Sequence, residues 1–76
     1  MLLNQLSKGK PAVITKVGGN GASRGRLLDM GLIPKTKVTI RHIAPLGDPI
    51  EIRLRGYTLT LRREDAEKIE VEPVEA

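Results

Sequence analysis

Between residues 50 and 63 apolar and polar side chains alternate with a period of two. Ile50, Ile52 and Leu54 are separated by Glu51, Arg53 and Arg55, and Leu59 and Leu61 by Thr58, Thr60 and Arg62. Such a period marks strands with one buried face. A two-residue type II′ loop at Gly56-Tyr57, with glycine where φ must be positive, predicts a hairpin. In it Arg55 pairs with Thr58, Leu54 with Leu59, Ile52 with Leu61 and Glu51 with Arg62. Apolar faces apolar, and an acid faces a base.

The same reading extends along the chain. "KPAVITKV" at 10–17 is β-branched and reads as a strand, as does "KVTIRHI" at 37–43, with Val38, Ile40 and His42 on one face and Lys37, Thr39, Arg41 and Ile43 on the other. "REDAEKI" at 63–69 makes one turn with Ala66 and Ile69 on the same side, and "IEVE" at 69–72 alternates as a closing strand. Leu2, Leu3 and Leu6 share the face of one docked helical turn, ended by Gly9. Five short strands predict a mainly β fold, closed as a small five-stranded β-barrel because closure removes exposed edges. Pro73 stops the last strand, and residues 73–76 are expected to fray.

"RLLDMGLIPKTKV" at 26–38 interrupts this pattern. Leu27, Leu28 and Met30 crowd one side of a short helix, Gly31 supplies a left-handed C′ residue, Leu32 stands at C″, and Pro34 prevents continuation: a Schellman stop. A helix this short is marginal alone and must pack on the barrel. The preceding "GGNGASRG" at 18–25 matches neither GxxxxGK[ST] nor GxGxxG, since Arg24 stands where the third glycine belongs. It reads as a flexible loop with Asn20 or Ser23 as N-cap.

Seventy-six residues allow one domain, 1–76, with a thin core. The absence of cysteine excludes disulfides, thiolate metal ligands and thiol nucleophiles. No apolar run approaches the roughly 20 residues of a membrane span, and the first ten residues show no signal-peptide pattern. A soluble, cytoplasmic protein is expected. Net charge is +4, but residues 1–47 carry eight Lys/Arg against Asp29 while residues 48–76 carry five bases and eight acids. Such asymmetry steers partners of opposite sign.

Catalytic equipment is missing. There is one histidine, His42, and Ser7 and Ser23 sit beside helix ends where capping explains them. Glu64 and Asp65 open a turn that negative charge favours. His42, with Asp48 and Glu51 nearby in sequence, is the weak candidate for a transition metal ion, though first-row metals want more than one strong protein donor. The basic positions Lys37, Arg41, Arg53, Arg55 and Arg62 invite comparison with nucleic-acid binders, but Tyr57 is the only aromatic residue, and no specific nucleic-acid partner is expected.

A series of residues gives the chain a family likeness: Leu3, Leu6, Gly9, Ala12 and Ile14, "RLLDMGL", Pro34, Thr36 and Val38, "PLGDP" at 45–49, "GYTLTLR" at 56–62, and Ala66, Ile69 and Val71. Across residues 2–71 it resembles the ferrous iron transport protein A (FeoA) family, a module also found at the C-terminus of iron-dependent repressors of the diphtheria-toxin-repressor type. The resemblance implies an SH3-like barrel with the helix inserted after the first strand. It also implies a cytoplasmic accessory to FeoB, a membrane Fe(II) transporter with a cytosolic GTP-binding domain. Two positions depart from the family pattern. Gly25 replaces a helix former at a cost of about 1 kcal/mol, and Lys35 follows Pro34 where the family often has Pro-Gly, which predicts a type I turn.

The function expected is a non-enzymatic adaptor without a cofactor, binding the cytosolic part of a FeoB-type transporter through Arg24, Arg26, Leu28 and Met30. The alternative is a direct metal-binding or iron-sensing module.

Overall fold

The structure, a computed structural model, describes residues 1–74. A 3₁₀ turn at Leu3–Gln5 precedes β1 (Pro11–Val17), α1 (Gly21–Asp29), β2 (Lys37–Ile43), β3 (Ile50–Leu54), β4 (Tyr57–Leu61), α2 (Arg63–Ala66) and β5 (Ile69–Pro73). The strands form one antiparallel sheet in the order β4-β3-β2-β1-β5. All five turn apolar residues to a common core, among them Ile14, Val38, Ile52, Leu61 and Val71, so the sheet wraps around its own inner face. Leu3, Leu6, Leu27 and Leu32 complete that core from outside the sheet. Register shifts between Ile14 and Lys16 in β1 and between Ile40 and His42 in β2 provide the local bending such a wrap needs.

The shift in β2 moves His42. Ile40 faces Ile52 but His42 faces Glu51, leaving Arg41 as the extra residue. Strict alternation fails there, and His42 is exposed instead of sharing the inner face with Val38 and Ile40.

The β3–β4 hairpin forms, but in another register. Its two-residue turn is Arg55-Gly56, with φ of 48° and 83°, the type I′ pattern, and it pairs Leu54 with Tyr57, Ile52 with Leu59 and Ile50 with Leu61. The expected register would have set Ile50 against Arg63; the observed one sets it against buried Leu61. Burial of that pair and the bond from Arg55 Nη2 to Thr36 Oγ1 at 3.1 Å oppose the cost of a left-handed arginine.

Turn geometry differs at Pro34-Lys35 as well. Lys35 has φ of 75°, and the Thr36 amide donates to the Ile33 carbonyl at 3.2 Å, a type II turn with lysine at the glycine position. The Lys35 amide donates to the Ile14 carbonyl at 2.7 Å and the Ile14 amide to the Thr36 carbonyl at 2.9 Å. The turn is thus stitched to β1, which selects the peptide orientation that a type I turn lacks.

α1 begins at Gly21, inside the segment read as a loop, and Asn20 occupies the N-cap without a side-chain bond. Its end is the expected one. The Gly31 amide donates to Leu28 at 3.0 Å and the Leu32 amide to Leu27 at 3.2 Å, with Gly31 at φ 95°, the paired bonds of a Schellman motif. At the other terminus β5 runs through Pro73, and the Val74 amide donates to the Pro11 carbonyl at 3.1 Å. Residues 75–76 lie outside the described residues.

Candidate functional site

α1 and its C-cap residue Met30 carry the four residues singled out for a partner, and the structure distributes them around the helix. Leu27 is fully buried, while Leu28 and Met30 are half-buried against the core. Arg24 and Arg26, two residues apart and so about 200° around the axis, leave on opposite sides. Arg24 Nε donates to the Val17 carbonyl at 3.1 Å, tying α1 to the end of β1. Arg26 Nη2 donates to Asp65 Oδ1 at 2.9 Å, tying α1 to α2.

Asp65 is the residue that sequence reasoning missed. Read with Glu64 only as negative charge favouring a helix start, it is in fact just 3% exposed. Lys68 Nζ stands 3.9 Å from Asp65 Oδ1 and donates to Ser23 Oγ at 3.0 Å. Arg26, Asp65, Lys68 and Ser23 therefore form one polar chain between α1 and the segment entering β5. The spacing of Asp65 and Lys68 at i and i+3 was the single local signal of that chain.

Arg26 remains 55% exposed at its side chain while making this bond, so its guanidinium keeps donors for a second acceptor. At the C-terminal end of α1, Tyr57 Oη donates to the Met30 carbonyl at 2.9 Å, and the tyrosine itself is 43% exposed. The surface around α1 thus combines guanidinium donors with the half-exposed side chains of Leu28 and Met30 and the ring of Tyr57. Such a surface offers charge-assisted hydrogen-bond donors beside apolar contacts.

The other candidates do not join it. His42 is exposed on β2, and among the described residues no three His, Asp or Glu side chains gather as a metal site. Asp48 Oδ1 accepts from the Arg63 amide at 3.0 Å, and Glu51 stands 3.8 Å from Arg41 Nε. Among the described residues no helix is long and apolar enough to cross a membrane.

The profile of the FeoA domain family matches residues 1–73, nearly the whole of this architecture. The chain belongs to the FeoA domain family. It is 47% identical over 72 residues to the Fe(2+) transport protein A/Fe(2+) transporter FeoB fusion protein of Porphyromonas gingivalis, covering 95% of this chain but 8% of that protein. The FeoA protein of Chlorobium tepidum, whose solution structure is known, is 43% identical with a TM-score of 0.89, over 99% of this chain and 71% of that one. FeoA of Stenotrophomonas maltophilia, crystallised with zinc and described as a prokaryotic SH3 domain protein, is 25% identical with a TM-score of 0.82, over 95% and 89% of the two chains. The expected SH3-like fold is therefore the fold of this FeoA domain, with α1 inserted between β1 and β2.

Proposed function

We propose that this FeoA domain is a non-enzymatic adaptor for ferrous iron uptake, acting in the cytoplasm by binding the cytosolic GTPase part of a FeoB-type transporter through α1. The observation that carries the reading is the fusion: a relative 47% identical over 72 residues is joined to a FeoB transporter in one polypeptide. Covalent linkage keeps two modules at high effective concentration, which serves an interaction made repeatedly. Arg26 with Met30 on one side of the helix, and Arg24 with Leu28 on the other, support α1 as the docking surface.

Retention of the purified protein on an immobilised FeoB cytosolic domain at low salt tests the reading. Wild type is expected to be retained, and Arg24→Glu and Leu28→Asp to weaken retention at least tenfold while far-UV circular dichroism stays unchanged. Arg26→Glu is a poor probe, because it sets a carboxylate against Asp65. No retention of wild type refutes the adaptor; undiminished retention of both folded variants removes α1 as the surface.

A further inference from the structure

The two edges of the sheet are finished differently. β5 is covered by the start of the chain: the Val71 amide donates to the Met1 carbonyl at 2.7 Å, the Met1 nitrogen donates to the Val71 carbonyl at 3.2 Å, and Leu2 bridges Glu70. β4 has no such cover. Its five residues pair with β3 throughout, and among the described residues their backbone groups bond to no other element.

The register says which groups are left open. A two-residue turn makes Leu54 and Tyr57 a mutually hydrogen-bonded pair, so Ile52–Leu59 and Ile50–Leu61 are bonded pairs as well. Thr58 and Thr60, on the alternate pairs, direct N–H and C=O away from β3. Two donors and two acceptors recur there at about 7 Å, the two-residue repeat of an extended chain. The usual guards of an edge are absent too, since Tyr57–Leu61 contains no proline, no charged side chain and no register shift.

We propose that β4 takes up an extended acidic segment of a partner protein as a sixth strand. Backbone bonding to Thr58 and Thr60 supplies the ladder, and the surrounding charge selects the occupant. Arg53 lies opposite Thr58, Arg55 forms the turn, and Arg62 and Arg63 follow Leu61. Of the acids nearest by, Glu51 is 3.8 Å from Arg41, Glu64 is 3.8 Å from Arg62 and Asp48 accepts from the Arg63 amide at 3.0 Å, whereas the side chains of Arg53, Arg55 and Arg63 make no ion pair among the described residues. A second copy fits less well. The symmetric antiparallel register that joins Thr58 of each copy to Thr60 of the other brings the Arg62–Arg63 end of each β4 toward the Arg55 turn of the other, like charge near like. The open ladder groups belong to Thr58 and Thr60, while Tyr57 at the start of β4 adjoins the C-terminal end of α1; the proposal does not rest on the identity of the transporter partner.

The test is a titration of the full chain, followed by amide NMR and hydrogen exchange, with a short synthetic peptide alternating Glu and Val. Controls are a Lys-Val peptide of equal length and a fully N-methylated Glu-Val peptide, which keeps the charge but has no N–H to donate. The Glu-Val peptide is expected to protect the Thr58 and Thr60 amides and to bind at least tenfold more tightly than either control. Thr58→Pro, which removes an outward donor and spares the ladder to β3, and Arg53→Glu should each weaken it at least tenfold. If Thr58→Pro does not fold, Arg53→Glu and the N-methylated peptide decide alone. Equal binding of the N-methylated or the Lys-Val peptide overturns the proposal, as does protection confined to other residues. Protection of Thr58 and Thr60 in concentrated protein without peptide, with a dimer in sedimentation, overturns it in favour of a second copy.

Discussion

Arg26 on α1 and Asp65 on α2, 39 positions apart in sequence, meet through a 2.9 Å charge-assisted hydrogen bond in which the acid is buried and the base is half in solvent. The pair fastens the inserted helix to the far end of the chain. It also fixes the direction in which the remaining guanidinium donors of Arg26 point, so a structural bond and the candidate docking surface share one side chain.

Removing either partner should therefore cost stability. Arg26→Ala leaves Asp65 with Lys68 at 3.9 Å as its nearest charge and is expected to destabilise by about 1–2 kcal/mol, which lowers Tm by several degrees in a domain of this size. Urea denaturation of Arg26→Ala, Asp65→Asn and the double variant should give a coupling energy of about 1 kcal/mol. Additive single effects would show that the pair does not act as a unit.

A side chain at Gly31 is strained on two counts. Its φ is 95°, and a Cβ there would lie 2.5 Å from Tyr57 Oη. Gly31→Ala is expected to cost about 2 kcal/mol or more, combining the left-handed backbone with the collision. Tyr57→Phe removes the colliding oxygen together with its bond to the Met30 carbonyl. Gly31→Ala should thus be less damaging in the Tyr57→Phe background than in wild type, as measured by denaturant midpoint.

Lys35 is a residue in a glycine's place. At φ 75° it bears the left-handed cost of about 1–2 kcal/mol, part of which glycine would return as unfolded-state entropy. Lys35→Gly should raise stability by about 0.5 kcal/mol with an unchanged denaturant slope. A loss instead would mean that the lysine side chain contributes more than its backbone costs.

His42 is exposed, with Glu51 as its cross-strand neighbour. Anaerobic Fe(II) titration is expected to give the same isotherm for wild type and His42→Ala. A tenfold or greater loss of affinity in the variant would restore the metal-binding alternative.

Much of this protein was legible in short stretches. Alternation at Ile50, Ile52 and Leu54 identified a buried strand face, and Leu27, Gly31, Leu32 and Pro34 spelled the end of α1, because periodicity and capping act among residues a few positions apart. The ordered series from "RLLDMGL" to "GYTLTLR" carried the family. Tertiary structure decided the rest. The hairpin took the register that buries Ile50 against Leu61, β2 admitted Arg41 as an extra residue and turned His42 outward, and Lys35 accepted a strained φ in a turn that bonds Ile14 twice, through the Lys35 amide and the Thr36 carbonyl. In each case the deciding contact lies on another segment. Asp65 is the clearest example: its spacing to Lys68 was the single local signal, and only the packing of α1 beside α2 brings Arg26 within reach of its buried carboxylate.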